Sequence, residues 1–182
     1  MTRDRRSLDE LVERHLPGLY AFVRARAGTR LRAREATVDL VQSACYEALK
    51  DLPSSGIGDE AAFKHWFYLA AERKIVDRAR YHAAAKRSPS REKPLASDLD
   101  LLERGYSGFW TPSRQAAARE EIERMEAALQ RLPKDAQDVI VLSRIVGLPH
   151  AVIGEKTGRS EGAVRVLLHR ALARLAIEMR ES

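Results

Sequence analysis

Apolar residues recur at helical spacing along most of the chain. Leu8, Leu11, Val12, Leu16, Leu19 and Val23, with His15 among them, form one such stripe. Ser7-Leu8-Asp9-Glu10 in front of it reads as a capping box, in which the Ser hydroxyl accepts from an amide and the Glu reaches back. Pro17 lacks an amide proton, so a kink or a break is expected there. A second helix is predicted over 33–49, with Val38, Val41, Cys45, Ala48 and Leu49 on one face. The run Asp51-Leu52-Pro53-Ser54-Ser55-Gly56-Ile57-Gly58 is a loop by composition. A third helix follows from Glu60 to Tyr81 or beyond. Its stripe is Phe63, Phe67, Ala71, Ile75 and Ala79, flanked by Trp66 and Ala70.

The periodicity dissolves over 84–113, where Pro89, Pro94, Pro112, Gly105 and Gly108 fall. This stretch reads as a partly disordered linker carrying two apolar patches, Leu99 to Leu102 and Phe109-Trp110. Order returns at Thr111-Pro112, a cap followed by proline at the first helical position. Ala118, Ile122, Met125 and Leu129 mark the next helix. Leu132-Pro133 breaks it, and another runs from Lys134 to Val146 until Gly147 ends it. A short helix over 149–157, a turn at Gly158-Arg159-Ser160 and a last helix from Glu161 to Met179 complete the chain. The expected fold class is all-α. Two small helical domains, 1–88 and 114–182, are joined by a flexible linker, 89–113, and the second contains a helix-turn-helix.

Composition narrows the class. Of 182 residues, 45% are hydrophobic and only 6% aromatic, enough for small helical cores. Ten glycines and seven prolines are too few for a turn-rich sandwich or barrel. A single cysteine, Cys45, excludes an internal disulfide and a cysteine-based zinc site. No apolar run is long enough to span a bilayer, and MTRDRRSLDELVERH has no apolar core of a secretory signal, so a cytoplasmic protein is expected. The net charge is +6. It is uneven: residues 1–92 carry 18 basic and 13 acidic side chains, 93–132 carry 6 and 7, and 133–182 carry 8 and 6. Two basic lobes around a slightly acidic connector fit a nucleic-acid binder that touches its target twice.

The stretch from Gly147 to Leu175 is the most informative. Two short helices meet at Gly158, where a left-handed residue suits glycine, and Ser160 can cap the second. Val164, Leu167, Leu168, Ala171 and Leu175 point one way; Glu161, Arg165, Val166, His169 and Arg170 point the other. Gly154 falls where the first helix must let the second approach, with Ile153 beneath. A recognition helix presents itself in this way, apolar on its partner helices and basic toward the major groove. Arg165 can bond a guanine edge or a phosphate, while Arg170 and Arg174 suit phosphates. An αα-hairpin with a solvated basic face would leave the same pattern.

The N-terminal lobe carries Asp39-Leu40-Val41-Gln42, then Phe63 to Ala71 (FKHWFYLAA), then Asp77-Arg78-Ala79-Arg80. These resemble the second conserved region of bacterial sigma factors. Leu132-Pro133, Gly147-Leu148, Gly158 and Gly162-Ala163-Val164 through His169-Arg170-Ala171 resemble the fourth. Together, over 8–88 and 115–177, they are similar to the short extracytoplasmic-function (ECF) group of the sigma-70 family. The resemblance implies a role for each stretch. Asp39, Gln42 and Tyr46, on a polar face that could otherwise be merely solvated, would dock on the β′ clamp helices of core RNA polymerase. Trp66, Arg73, Lys74, Asp77, Arg78, Arg80 and Tyr81 would meet the downstream (minus-ten) promoter element. There basic side chains track phosphates and the aromatics Trp66, Tyr68 and Tyr81 can stack on splayed bases, with Lys86, Arg87 and Arg91 extending the basic run. Trp66 and Phe67 also read as core residues. Ser160, Glu161, Arg165, Val166, His169 and Arg170 would meet the upstream (minus-thirty-five) element. Contact with the polymerase β flap and regulation by an anti-sigma protein are implied as well.

Several positions depart from the family pattern. Arg73 stands where the family commonly has Asn, and Glu72 where it has Arg. In the recognition helix Ala163, Val166 and Leu167 replace Thr, Ser and Arg; Pro149 and Val152 replace Ser and Glu before it. These changes remove polar partners for DNA, so a relative's promoter sequence does not transfer.

Catalytic chemistry finds no constellation. His15, His65, His82, His150 and His169 form no metal-binding pair, and Gly154 to Gly162 lacks the strand and the Lys-Ser/Thr of a phosphate loop. No nucleophile-base pair stands near Ser43 or Cys45. The chain therefore reads as a non-enzyme without metal or cofactor. A stand-alone helix-turn-helix regulator, with the first lobe as a dimerisation or sensor domain, is the alternative; it would have no need of the Asp39/Gln42 face.

Overall fold

A computed structural model describes residues 2–51, 59–84, 101, 103–109 and 118–181, and the secondary structure is helical throughout. The elements are α1 (Thr2–Arg32), α2 (Thr37–Lys50), α3 (Glu60–Ala84), a 3-10 turn (Ser107–Phe109), α4 (Ala118–Arg131), α5 (Lys134–Ile140) with a π-helical turn (Val141–Ile145), α6 (His150–Thr157) and α7 (Glu161–Arg180). They form two compact units that part between Gly105 and Tyr106.

In the first unit α3 packs on both α1 and α2, which also touch each other. The core is Leu19, Phe22, Val23, Leu40, Val41, Phe63, Phe67 and Ala71. Phe63 stacks on Phe67 with centroids 5.0 Å apart, and Phe22 meets Tyr68 edge-on at the same separation. Each such pair adds about 0.5–1.5 kcal/mol beyond its buried area. Two expectations for α1 change. The helix begins before Ser7, at Thr2, so Ser7 is not its cap. Pro17 sits inside a continuous helix, and the break comes at Gly28 (φ 63°, ψ 173°). Proline removes one hydrogen bond, and the buried Leu19 to Val23 segment holds the axis; glycine alone enters the left-handed region without steric cost. The helix α2 starts at Thr37, later than the pattern predicted. Its buried face is Leu40, Val41, Ala44 and Ala48, and Leu49 is turned outward, 42% exposed. Ala79, placed in the α3 stripe, is likewise exposed.

Within the stretch read as a linker, two short pieces are folded. A Cβ at Gly105 would lie 2.2 Å from the Pro17 carbonyl oxygen of α1, so only glycine fits against that helix. In the second unit Tyr106 is fully buried and donates to Glu126 Oε1 at 2.8 Å, which satisfies a carboxylate that is itself 1% exposed. Of the expected patch Leu99 to Leu102 only Leu101 is described; Leu99, Asp100, Leu102, Trp110, the Thr111-Pro112 cap and the basic Lys86, Arg87 and Arg91 lie outside the described residues.

The second unit packs α4, α5 and α6 against α7. Its core is Ile122, Met125, Leu129, Val139, Ile140, Ile153, Val164, Leu168, Ala171 and Leu175. The predicted helix Lys134 to Val146 is α-helical only to Ile140. The Val146 amide then bonds the Val141 carbonyl at 3.0 Å, five residues back, and Gly147 (φ 72°) ends the turn. Arg131 Nε on Glu178 Oε2 at 2.8 Å ties α4 to the far end of α7.

The α6–α7 turn rests on backbone contact. Gly158 is left-handed (φ 66°), and a Cβ on Gly154 would sit 2.5 Å from the Arg159 carbonyl oxygen. Gly154→Ala should therefore destabilise the second unit by about 1–3 kcal/mol. Gly162→Ala, in open space on a helix, should stabilise it by up to about 1 kcal/mol. Hydrogen exchange of the α7 amides reads both; equal effects of one sign would contradict the contact.

Candidate polymerase and promoter interfaces

With Leu40, Val41, Ala44 and Ala48 facing inward, α2 exposes Asp39, Gln42, Tyr46 and Leu49, spaced i, i+3, i+7 and i+10 on one stripe. Tyr46 is 68% exposed, and none of the three predicted side chains makes a hydrogen bond or ion pair among the described residues. The stripe runs from polar at Asp39 to apolar at Leu49. The spacing of Leu49 from Val41, Cys45 and Ala48 predicts an inward position, but the structure turns it outward. Cys45 is half-buried, and burial pushes its thiol up to about 11, which keeps it a packing group.

The burial of Phe63, Phe67, Ala71 and Ile75 fixes the outer face of α3. Arg73, Asp77, Arg80 and Tyr81 are exposed together, and half-buried Trp66, two turns before Arg73, heads the same face. Tyr68 is not part of it. It is 6% exposed, and burial pushes its phenol pKa up, so it belongs to the core and cannot stack on a base. Phe67 is likewise fully buried.

Lys74 and Arg78 stand on the flank and are engaged by carboxylates. Lys74 Nζ bonds Glu47 of α2. Arg78 and His82 both bond Glu35, in the turn between α1 and α2, and Arg34 donates to the His82 carbonyl at 2.9 Å. Arg78 also lies over the Tyr81 ring, 4.7 Å from its centroid. Burial pushes the Glu35 carboxyl up, but the hydrogen bonds from Arg78 and His82 outweigh it and hold the group below its ordinary range. Glu72, the departure noted above, pairs with Arg26 of α1 at 3.4 Å, so it belongs to the α1–α3 seam.

On α7 the Ser160 hydroxyl accepts from the Ala163 amide at 3.2 Å, so its cap function is structural. Glu161, Arg165, Val166, His169 and Arg170 are all exposed, opposite buried Val164, Leu168, Ala171 and Leu175. Arg165 donates to Glu161 at 3.0 Å across one turn. Such an exposed pair is worth about 0.3–0.5 kcal/mol, too little to keep Arg165 from another partner. Arg170 and Arg174 make no ion pair among the described residues.

Among the described residues no three His, Cys, Asp or Glu side chains converge as a metal site requires, and no helix is long and apolar enough to cross a membrane. An open cleft of about 620 Å³ between the ends of α1 and α3, lined by Arg30, Leu31, Arg34 and His82, brings together no nucleophile and base.

The first unit is thus a three-helix lobe with an outward polar stripe, and the second carries a helix-turn-helix. Residues 11–85 match Sigma-70 region 2, and residues 122–175 match Sigma-70, region 4. The ECF RNA polymerase sigma factor SigD of Mycobacterium tuberculosis (strain H37Rv) is 30% identical over 176 residues, 97% of this chain and 78% of SigD. ShbA of Streptomyces griseus, also an ECF sigma factor, is 31% identical over 146 residues, 79% of this chain and 71% of ShbA. The sigma factor CnrH of Cupriavidus metallidurans is 28% identical over 177 residues, 95% of this chain and 86% of CnrH. No solved structure matches at comparable significance. The chain belongs to the ECF group of sigma-70 RNA polymerase sigma factors. It binds core RNA polymerase and promoter DNA and directs transcription initiation, and the reading as a stand-alone regulator is not favoured.

The Glu35 network yields a pH test. Glu35→Gln should cost the first unit about 1–3 kcal/mol at pH 7, because it weakens hydrogen bonds to charged groups. A carboxyl held below its ordinary 4.5 contributes fully above pH 4.5 and loses that contribution as pH falls through its folded value. Wild type and variant should therefore converge in acid. Hydrogen exchange of the α3 amides at pH 7 and below pH 4 checks this; an unchanged difference would contradict it.

Proposed function

We propose that the two exposed faces of the first unit and the one of the second divide the work of a sigma factor. The α2 stripe docks on the β′ clamp helices of polymerase through Asp39, Gln42 and Tyr46, with Leu49 extending the contact. A stripe of unpartnered polar groups ending in exposed Tyr and Leu suits a helix-on-helix interface, in which the aromatic anchors the contact. The α3 face meets the opened downstream element. Arg73, Arg80 and the flanking Lys74 and Arg78 track phosphates, Asp77 stands among them, and Trp66 and Tyr81 offer ring faces to unstacked bases. Strand opening without ATP needs such a trap, since bases must regain elsewhere what unstacking costs.

The second unit meets the upstream element through α7: Ser160 and Glu161 at its start, then Arg165, Val166, His169 and Arg170. Its other surface meets the β flap. An anti-sigma protein that covers both units would regulate the chain, which works in the cytoplasm beside its polymerase. Catalysis belongs to the polymerase; the sigma factor supplies placement and needs no cofactor. The observation that carries this division is the opposition of buried and exposed faces on α2, α3 and α7.

Asp39→Ala with Gln42→Ala should weaken core-polymerase binding by about tenfold or more while the helix-turn-helix keeps its stability. Arg165→Ala should do the reverse: weaker use of the upstream element, by about 1–3 kcal/mol, with polymerase affinity kept. Polymerase titration and run-off transcription measure the two. Unchanged polymerase affinity in the double variant would sink the docking assignment, and parallel loss of both activities in Arg165→Ala would sink the division between units.

A further inference from the structure

We propose that the leading face of α7 reads a thymine through its C5-methyl group, with Val166 as the reader. The inference rests on the upstream-element assignment above and deepens it. Val166 is 50% exposed and lies outside the buried stripe of Val164, Leu168, Ala171 and Leu175. A β-branched residue at an exposed helical site serves neither helix propensity nor the core. Its neighbours on the same surface, Gly162 and Ala163, are also exposed, and a Cβ added at Gly162 would meet nothing within 4 Å. The first turns of α7 therefore offer a small, apolar, unobstructed face.

The surroundings select the occupant. Exposed Arg165, His169, Arg170 and Arg174 surround or follow this patch, and Arg170 and Arg174 are free to meet phosphates. An apolar spot flanked by Arg165, Arg170 and Arg174 fits the major groove of a duplex. There the thymine methyl is the distinctive apolar group among the base edges, and a valine can pack on it. A protein partner is the poorer fit, because a stable interface buries about 800 Å² on each side, far beyond three small side chains. Val166 thus acts as a specificity-determining contact.

The test uses the full-length protein with core polymerase and a promoter mapped by run-off transcription. Each thymine of the upstream element, on both strands, is replaced singly by deoxyuridine, which removes only the methyl. Wild type should lose about fourfold in affinity at one position, the effect of one methyl leaving water. Val166→Ser should bind the thymine and uracil forms of that position equally, with its thermal unfolding unchanged because the site is exposed. If scrambling the whole upstream element leaves wild-type binding unchanged, the upstream-element assignment fails and this proposal falls with it. If scrambling abolishes binding, yet no position shows a thymine–uracil difference that depends on Val166, the methyl contact alone is overturned. Loss of binding to a second protein on Val166→Ser, with every thymine indifferent, would likewise overturn it.

Discussion

The aromatic cluster of Phe22, Phe63, Phe67 and Tyr68 sets the rotation of α3 about its own axis, and the first unit's function depends on that rotation. A helix presents all its faces until packing selects one to hide. Once Phe63 and Phe67 are fully buried, Arg73, Asp77, Arg80 and Tyr81 have only one direction to point. The second unit solves the same problem with backbone. The Arg159 carbonyl lies so close to Gly154 that α6 and α7 meet at one geometry, and Val164, Leu168 and Ala171 then hold α7 in rotation.

Charge in the first unit divides between structure and surface. Glu35, Glu47 and Glu72 draw Arg78, Lys74 and Arg26 onto the seams between helices. A cation shared with a half-buried carboxylate is held in place and loses less entropy when a phosphate arrives. It also presents a weaker field. Among the described residues Arg73 and Arg80 have no such restraint, and they carry the net positive charge of that face. This division gives the departures at positions 72 and 73 different meanings. Glu72 is a packing partner of Arg26, whereas Arg73 is an exposed change on the face proposed to meet DNA.

Much of the local structure around the candidate site is legible in the sequence. Strict i, i+4 recurrence of Phe63, Phe67, Ala71 and Ile75 indicated the buried face of α3, and Gly158 with Ser160 indicated the turn and cap of the recognition helix. The errors fall where a local rule met a tertiary contact. Pro17 predicts a kink or a break, yet helical backbone runs through it, and the non-helical residue is Gly28. Leu49 reads as an inward residue, yet it is exposed, since spacing alone does not fix which edge of an apolar stripe is covered. Tyr68 was read as a base-stacking candidate, although the ring of Phe22 closes over it.

The helical class, the division into two lobes, the capped turn before α7 and the kinship to ECF sigma factors are all written in the residue pattern. These rest on periodicity, glycine and serine chemistry and short motifs, all local along the chain. Packing between distant segments settles which cations are shared with carboxylates, that Gly105 seats on α1 while Tyr106 is buried against Glu126, and that Val166 stands clear of the core. Those outcomes depend on distances between residues far apart in sequence, and no local pattern encodes such distances.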